Sequence, residues 1–125
     1  MLFRSVEQVK SALASGKNLA GKSLKNLDLS GLDFSGADLK GANLFGAKLA
    51  NANFTKANLE DANLNLSWLI HANFTDANLT DSSLVGPVVA QGLTAEKGEI
   101  PIMKGANLSG ARVQARFTEI GRAHV

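Results

Sequence analysis

The chain has 125 residues, 45% of them hydrophobic, which is enough for one domain with a continuous core and excludes a disordered tail. It contains no Cys, which excludes a disulfide framework and thiolate metal sites, and its net charge of +2 is far from the strongly basic balance of a nucleic-acid binder. No apolar run reaches the ~20 residues that a membrane-spanning helix needs, and residues 6–15 lack the continuous apolar stretch of a secretory signal.

The two ends read as foreign. Residues 1–5 back-translate to GTGCTCTTCCGATCT, with GTG as the start codon. The reverse complement, AGATCGGAAGAGCAC, lies inside a back-translation of residues 119–125, GAGATCGGAAGAGCACACGTC. Both strings match the common short-read sequencing adapter in opposite directions. Residues 1–5 and 119–125 are therefore expected to be adapter-encoded, and the chain to be a fragment of a longer protein. Without Arg4, Arg122 and Glu119, 11 basic and 10 acidic residues remain. Next in order, Val6, Val9 and Leu13 share one helical face, and Gly16 stands where a helix would stop. Residues 6–16 are expected to form a short helix that covers whatever follows.

From residue 17 the pattern changes. Leu or Phe recurs at every fifth position: Leu19, Leu24, Leu29, Phe34, Leu39, Leu44, Leu49, Phe54, Leu59, Leu64, Leu69, Phe74, Leu79 and Leu84. Two residues before each of these, through most of the array, stands a small residue such as Ala37, Ala52 or Ser67. Between them lies Asp, Asn or Ser, as at Asp38, Asn53 and Asn73. A period of five suits neither a helix nor a flat strand. It suits a chain that turns a corner every five residues. The run small–polar–large is then a short in–out–in strand, and the next two residues make the corner, where Gly21, Gly31, Gly36, Gly41 and Gly46 accept unusual backbone angles. The outward Asn and Asp side chains can hydrogen-bond along a ladder of coils and to nearby backbone. Phe34, Phe54 and Phe74 are spaced by twenty, which predicts a twenty-residue coil with four faces and the three rings stacked in one column. Residues 24–32 also fit a leucine-rich spacing, but that register does not persist, whereas the period of five does.

The unit Ala-Asp/Asn-Leu/Phe-x-x resembles the pentapeptide-repeat family over residues 17–86, and again over 106–115. The resemblance implies an all-β fold: a right-handed, four-sided parallel β-helix, with the helix of residues 6–16 as its N-terminal cap. Its core would be Leu29, Phe34, Leu39, Leu44, Leu49, Phe54, Leu59, Leu64, Leu69, Phe74, Leu79 and Leu84. It also points to a bacterial protein.

After Leu84 the phase is lost. The interval from Leu84 to Leu108 is 24, not a multiple of five. Residues 87–105 are expected to form an inserted loop or hairpin, and the repeats to resume over residues 106–118. Such a stretch is a plain bulge at a corner, the edge of a neighbouring domain, or an interaction loop, since binding often resides in long loops on rigid scaffolds.

Catalysis needs a convergent set of groups, and none is evident. His71 is the only His outside the suspect ends, there is no metal-ligand spacing, and the glycines fall at corner spacing rather than in phosphate-binding loops. No cofactor, metal or small-molecule substrate is expected. The departures from the repeat are more informative. Trp68 occupies an outward slot usually held by Asn or Asp, Lys48 occupies the same slot one coil earlier, Phe45 stands at a corner expected to be polar, and His71 follows Trp68 around the next corner. A lysine ammonium over the indole is the expected contact between Lys48 and Trp68. These four residues form the candidate interaction surface, either for a protein partner or for intramolecular cover.

The function expected is a non-catalytic protein-interaction or scaffold module with an unknown protein partner. Two alternatives stay open. One is a DNA mimic that protects a DNA topoisomerase such as gyrase, although residues 17–86 carry six Lys against seven Asp or Glu and so lack an acidic surface. The other is an accessory domain of a secreted effector or secretion-system protein, because residues 6–39 are also similar to the repeat regions of type VI secretion accessory proteins. Direct nucleic-acid binding is not expected, since Lys40, Lys48 and Lys56 are placed on different faces. A cytoplasmic location and secretion without a signal peptide are both compatible with the chain.

Overall fold

The computed structural model describes residues 3–89 and 101–114. Helix α1 (Val6–Ala14) opens the chain, with Ser5 at its N-cap accepting from the Gln8 amide, and Glu7 in its first turn, where acid favours the helix dipole. Ser15 is the C-cap and Gly16 leaves the helix with φ +121°, so the helix ends short of residue 16. Val9 is fully buried in the core, with Phe3, Val6, Ala12 and Leu13 packed around it. Phe3 and Ser5 thus pack on the first coil and cap the helix, although they fall in the stretch expected to be adapter-encoded. Residues 119–125 lie outside the described residues.

The rest is a parallel β-solenoid. Residues pair with partners twenty positions on, from Asn18 with Asp38 through Trp68 with Val88, so each twenty-residue coil holds four pairing segments. The bonding repeats from one segment to the next. The Phe34 amide donates to the Asn53 carbonyl at 2.7 Å, the Asn53 amide donates back to Leu32 at 3.0 Å, and the Gly36 amide donates to Thr55 at 2.9 Å. A further bond closes most turns, as from the Ala37 amide to the Phe34 carbonyl at 3.0 Å; Pro87, without an N–H, is an exception. Stacking the coils therefore satisfies backbone groups that a lone five-residue segment would leave open.

Every turn places its third residue in the left-handed region. Glycine fills that place in the early coils, as at Gly36 with φ +66°; later coils use Asn51, Asp61, Asp76 and Asp81, and also Lys56, Leu66 and His71. The Asn or Asp of each segment serves the turn that follows it. The Asn73 Oδ1 accepts from the Thr75 amide at 3.0 Å and from the Thr75 hydroxyl at 2.6 Å, and Asn53 and Asn78 do the same for Thr55 and Thr80. Coil-to-coil side-chain bonds accompany these, among them Asn78 Nδ2 to Asn58 Oδ1 at 3.3 Å and Ser83 Oγ to Asn65 Oδ1 at 2.7 Å.

The central residues form four columns, which run upward from Leu19, Leu24, Leu29 and Phe34. All twelve core residues named from the sequence are fully buried. In the fourth column Phe34, Phe54 and Phe74 stack with centroids 4.9 Å apart and planes within 5° of parallel. That separation follows the spacing of the coils, ~4.8 Å.

The structure corrects the extent of the insertion. Residues 87–89 keep the phase: Pro87 fills the small-residue slot, Val88 pairs with Trp68, and Val89 is buried over Leu69. The ladder resumes at Pro101, with Asn73 paired to Ile102, Asn78 to Asn107, and strand β1 (Ser83–Val85) to strand β2 (Arg112–Gln114). These later partners are 29 positions apart instead of twenty, so nine residues more than a regular coil holds separate them; the rest of the expected loop or hairpin, residues 90–100, lies outside the described residues. The sequence pattern was lost because Pro-Val-Val and Pro-Ile-Met fill the inward slots without Ala or Leu. At the last described coil Leu108 and Val113 hold central positions but are 38% and 41% exposed, with no described coil above them.

Candidate interaction surface

The outward residues of the third column are, in order, Asp28, Lys48, Trp68 and Val88. Lys48 and Trp68 pair directly, with the ammonium 5.9 Å from the indole centroid. Phe45 lies on the turn before this column, where Lys25 of the preceding coil stands over its ring at 5.5 Å. His71 lies on the turn after it, exposed, with φ +61°. The topology therefore brings the four candidate residues to one column and its two flanking turns, across two successive coils.

Further residues join this surface. Leu66, on the turn before Trp68, is 50% exposed, and Trp68 is 44% exposed. Leu66 lies close over Gly86, which has no Cβ to obstruct it. Val85 and Val88 extend the apolar surface into the next coil. Ile70 is 3% exposed, although its turn position is held by exposed Ser30 in the first coil. Leu66 was legible in principle, as an apolar residue where Gly, Asn and Asp prevail.

Two local costs meet here. A branched side chain in the left-handed region costs on the order of 1–2 kcal/mol, and Leu66 has φ +57°. Lys48 and Trp68 also lack the side-chain oxygen with which Asn or Asp accepts from the turn amide in most segments, a bond worth about 0.5–1.5 kcal/mol. The polar neighbours are conventional by comparison. The Ser30 hydroxyl and amide, with a contribution from Lys48, hold the Asp28 carboxyl below its ordinary value; Ser35 and then Lys17 do so for Asp33. Among the described residues no group of three His, Cys, Asp or Glu could hold a metal ion, and no helix is long and apolar enough to cross a membrane. Lys40 and Lys56 border opposite edges of the first column, away from Lys48.

The family model for pentapeptide repeats matches with eight copies, over residues 11–46 and 37–81. The chain belongs to the pentapeptide-repeat family. Among solved structures, the pentapeptide-repeat protein Rfr23 from the cyanobacterium Cyanothece 51142 is 30% identical with a TM-score of 0.57, over 77% of this chain and 56% of that one. A pentapeptide-repeat protein from the thylakoid lumen of Arabidopsis thaliana is 33% identical with a TM-score of 0.48, over 77% of this chain and 64% of that one. The chain thus spans less than two thirds of the length of either. QnrB1, a plasmid-mediated fluoroquinolone resistance protein, aligns at 20% identity and a TM-score of 0.35, over 76% of this chain and 67% of that one. No curated protein matches. Membership gives the solenoid its hand, a right-handed β-helix, and places it among proteins that are in general non-enzymatic structural or interaction modules.

Proposed function

We propose that the chain is a non-catalytic protein-interaction module: a four-sided β-helical scaffold that offers the face around Trp68 to a protein partner. Four five-residue segments per coil, each ended by a turn, support the four-sided cross-section. The observation that carries the interaction reading is the coincidence at one coil of exposed Leu66 and exposed Trp68, each at a slot where the fold prefers a different residue. Residues that break the preference of their slot are where function is expected. An exposed Trp at such a place is a typical anchor of protein interfaces.

The double variant Leu66→Asn, Trp68→Asn restores the preferred residue at both slots. Its melting temperature should equal or exceed that of the parent. A fall of more than a few degrees would show that the patch serves the fold and would overturn the reading. The gyrase-protecting alternative has less support. The acidic residues Glu60, Asp61, Asp76 and Asp81 border the first column, but Lys40, Lys56 and Lys104 are interspersed with them, and Lys40 approaches Glu60 at 4.0 Å. The matches above do not bear on a likeness to type VI secretion accessory proteins.

A further inference from the structure

Lys25 and Lys48 border the Leu66–Trp68–Val88 patch on the side nearer helix α1, and both are exposed. Each ammonium stands over an aromatic ring, of Phe45 and Trp68 respectively. Among the described residues neither has a carboxylate within ion-pair distance, the pairs present being Lys10 with Glu7 and Lys40 with Glu60. Asp28 is the one acidic residue in the third column and its flanking turns within the described residues, and its Oδ1 already accepts the Ser30 amide at 3.2 Å. Among the described residues the face is therefore an apolar surface with two cations along one edge and a single carboxylate, Asp28, beside Lys48.

Resting on the reading above, we infer that the partner is an acidic, apolar peptide segment: an aromatic or aliphatic side chain seated against Trp68 and Val88, with Asp or Glu reaching Lys48 and Lys25. Coils are ~4.8 Å apart, so the two cations lie roughly 5–10 Å from the anchor along the solenoid axis. In an extended peptide, residues two apart on the same side are ~6.7 Å apart. A hydrophobic residue with a carboxylate two positions away thus matches the face. Two lysines are too few for a polyphosphate backbone, which is held by a row of cations, and an uncharged sugar would leave both unused. Charge complementarity of this kind sets specificity and speeds encounter.

The test is to pan a library of short random peptides, displayed on phage, against the full chain. The same panning is run on the Leu66→Asn, Trp68→Asn variant and on the Lys25→Glu, Lys48→Glu variant, each first shown by circular dichroism to be folded. The parent should enrich peptides that combine an aromatic or aliphatic residue with Asp or Glu. Their affinity should fall about tenfold or more in the lysine variant and weaken as salt rises. Peptides that need Trp68 but carry no acidic bias, or that bind the lysine variant equally well, would overturn the acidic-partner inference and leave the docking face standing. No Trp68-dependent enrichment at all would overturn both.

Discussion

The Phe34–Phe54–Phe74 stack is the most quantifiable element of this solenoid. The other columns use Leu at the same slot, so Phe→Leu is a change that the fold already accommodates elsewhere, and the steric part of the cost should stay below ~1.5 kcal/mol. The aromatic part is set by how many rings each Phe touches. Phe54 has two neighbours at 4.9 Å, whereas Phe34 and Phe74 each have one within the stack. At ~0.5–1.5 kcal/mol per contact, Phe54→Leu should cost about 1–3 kcal/mol in ring contacts alone, and Phe34→Leu about half of that. A double-mutant cycle on Phe34 and Phe54, read by urea denaturation, should give a coupling of ~0.5–1.5 kcal/mol. The cycle on Phe34 and Phe74, two coils apart, should give a coupling within about 0.5 kcal/mol of zero. Equal coupling in the two cycles, or none in the first, would refute the claim that ring-on-ring contact stabilises the column.

Three further outcomes follow from the turns. Asn73→Ala removes the acceptor for the Thr75 amide and hydroxyl and should cost ~1–2 kcal/mol in urea melts, whereas Asn73→Asp keeps the acceptor and should be nearly neutral. Gly36→Ala meets open space and should cost only the left-handed backbone, on the order of 1 kcal/mol. Gly46→Ala should cost about the same, because the Asn26 carboxamide that its Cβ would meet is the end of an exposed side chain and can rotate away. Asp28 and Asp33 both have folded values below the ordinary one, so the stability they lend is present above the ordinary carboxylate range and is lost as pH falls through the folded values. Asp28→Asn with Asp33→Asn should therefore lose less melting temperature than the parent between about pH 5 and about pH 3.

Most of the fold was legible because one physical requirement repeats. Each Leu or Phe that marks the period is an inward side chain, and each Asn or Asp marks a turn amide in need of an acceptor. Legibility failed where different chemistry filled the same slot. Val89 and Met103 take central positions without being Leu or Phe, and Pro87 and Pro101 are buried where Ala is usual, so an intact coil read as a break. The site was partly legible for the same reason. Trp68 and Lys48 stood out against a polar slot, while Leu66 was legible only against the Gly, Asn and Asp that prevail at its left-handed turn position, a backbone requirement that hydrophobic periodicity does not register.

The nine extra residues between Val89 and Pro101 have a consequence for how this molecule tolerates change in length. The ladder keeps step by pairings, not by residues counted along the chain. A segment of any length that leaves and rejoins at one turn returns the following repeat to its own column, as Ile102 returns over Asn73. Adding or deleting five residues within the regular array is a different matter: it moves every later side chain to the next column, taking the Phe rings out of their stack. Turns are thus the positions where this scaffold can acquire new segments without renegotiating its core, whereas the strands between them admit change only in whole coils.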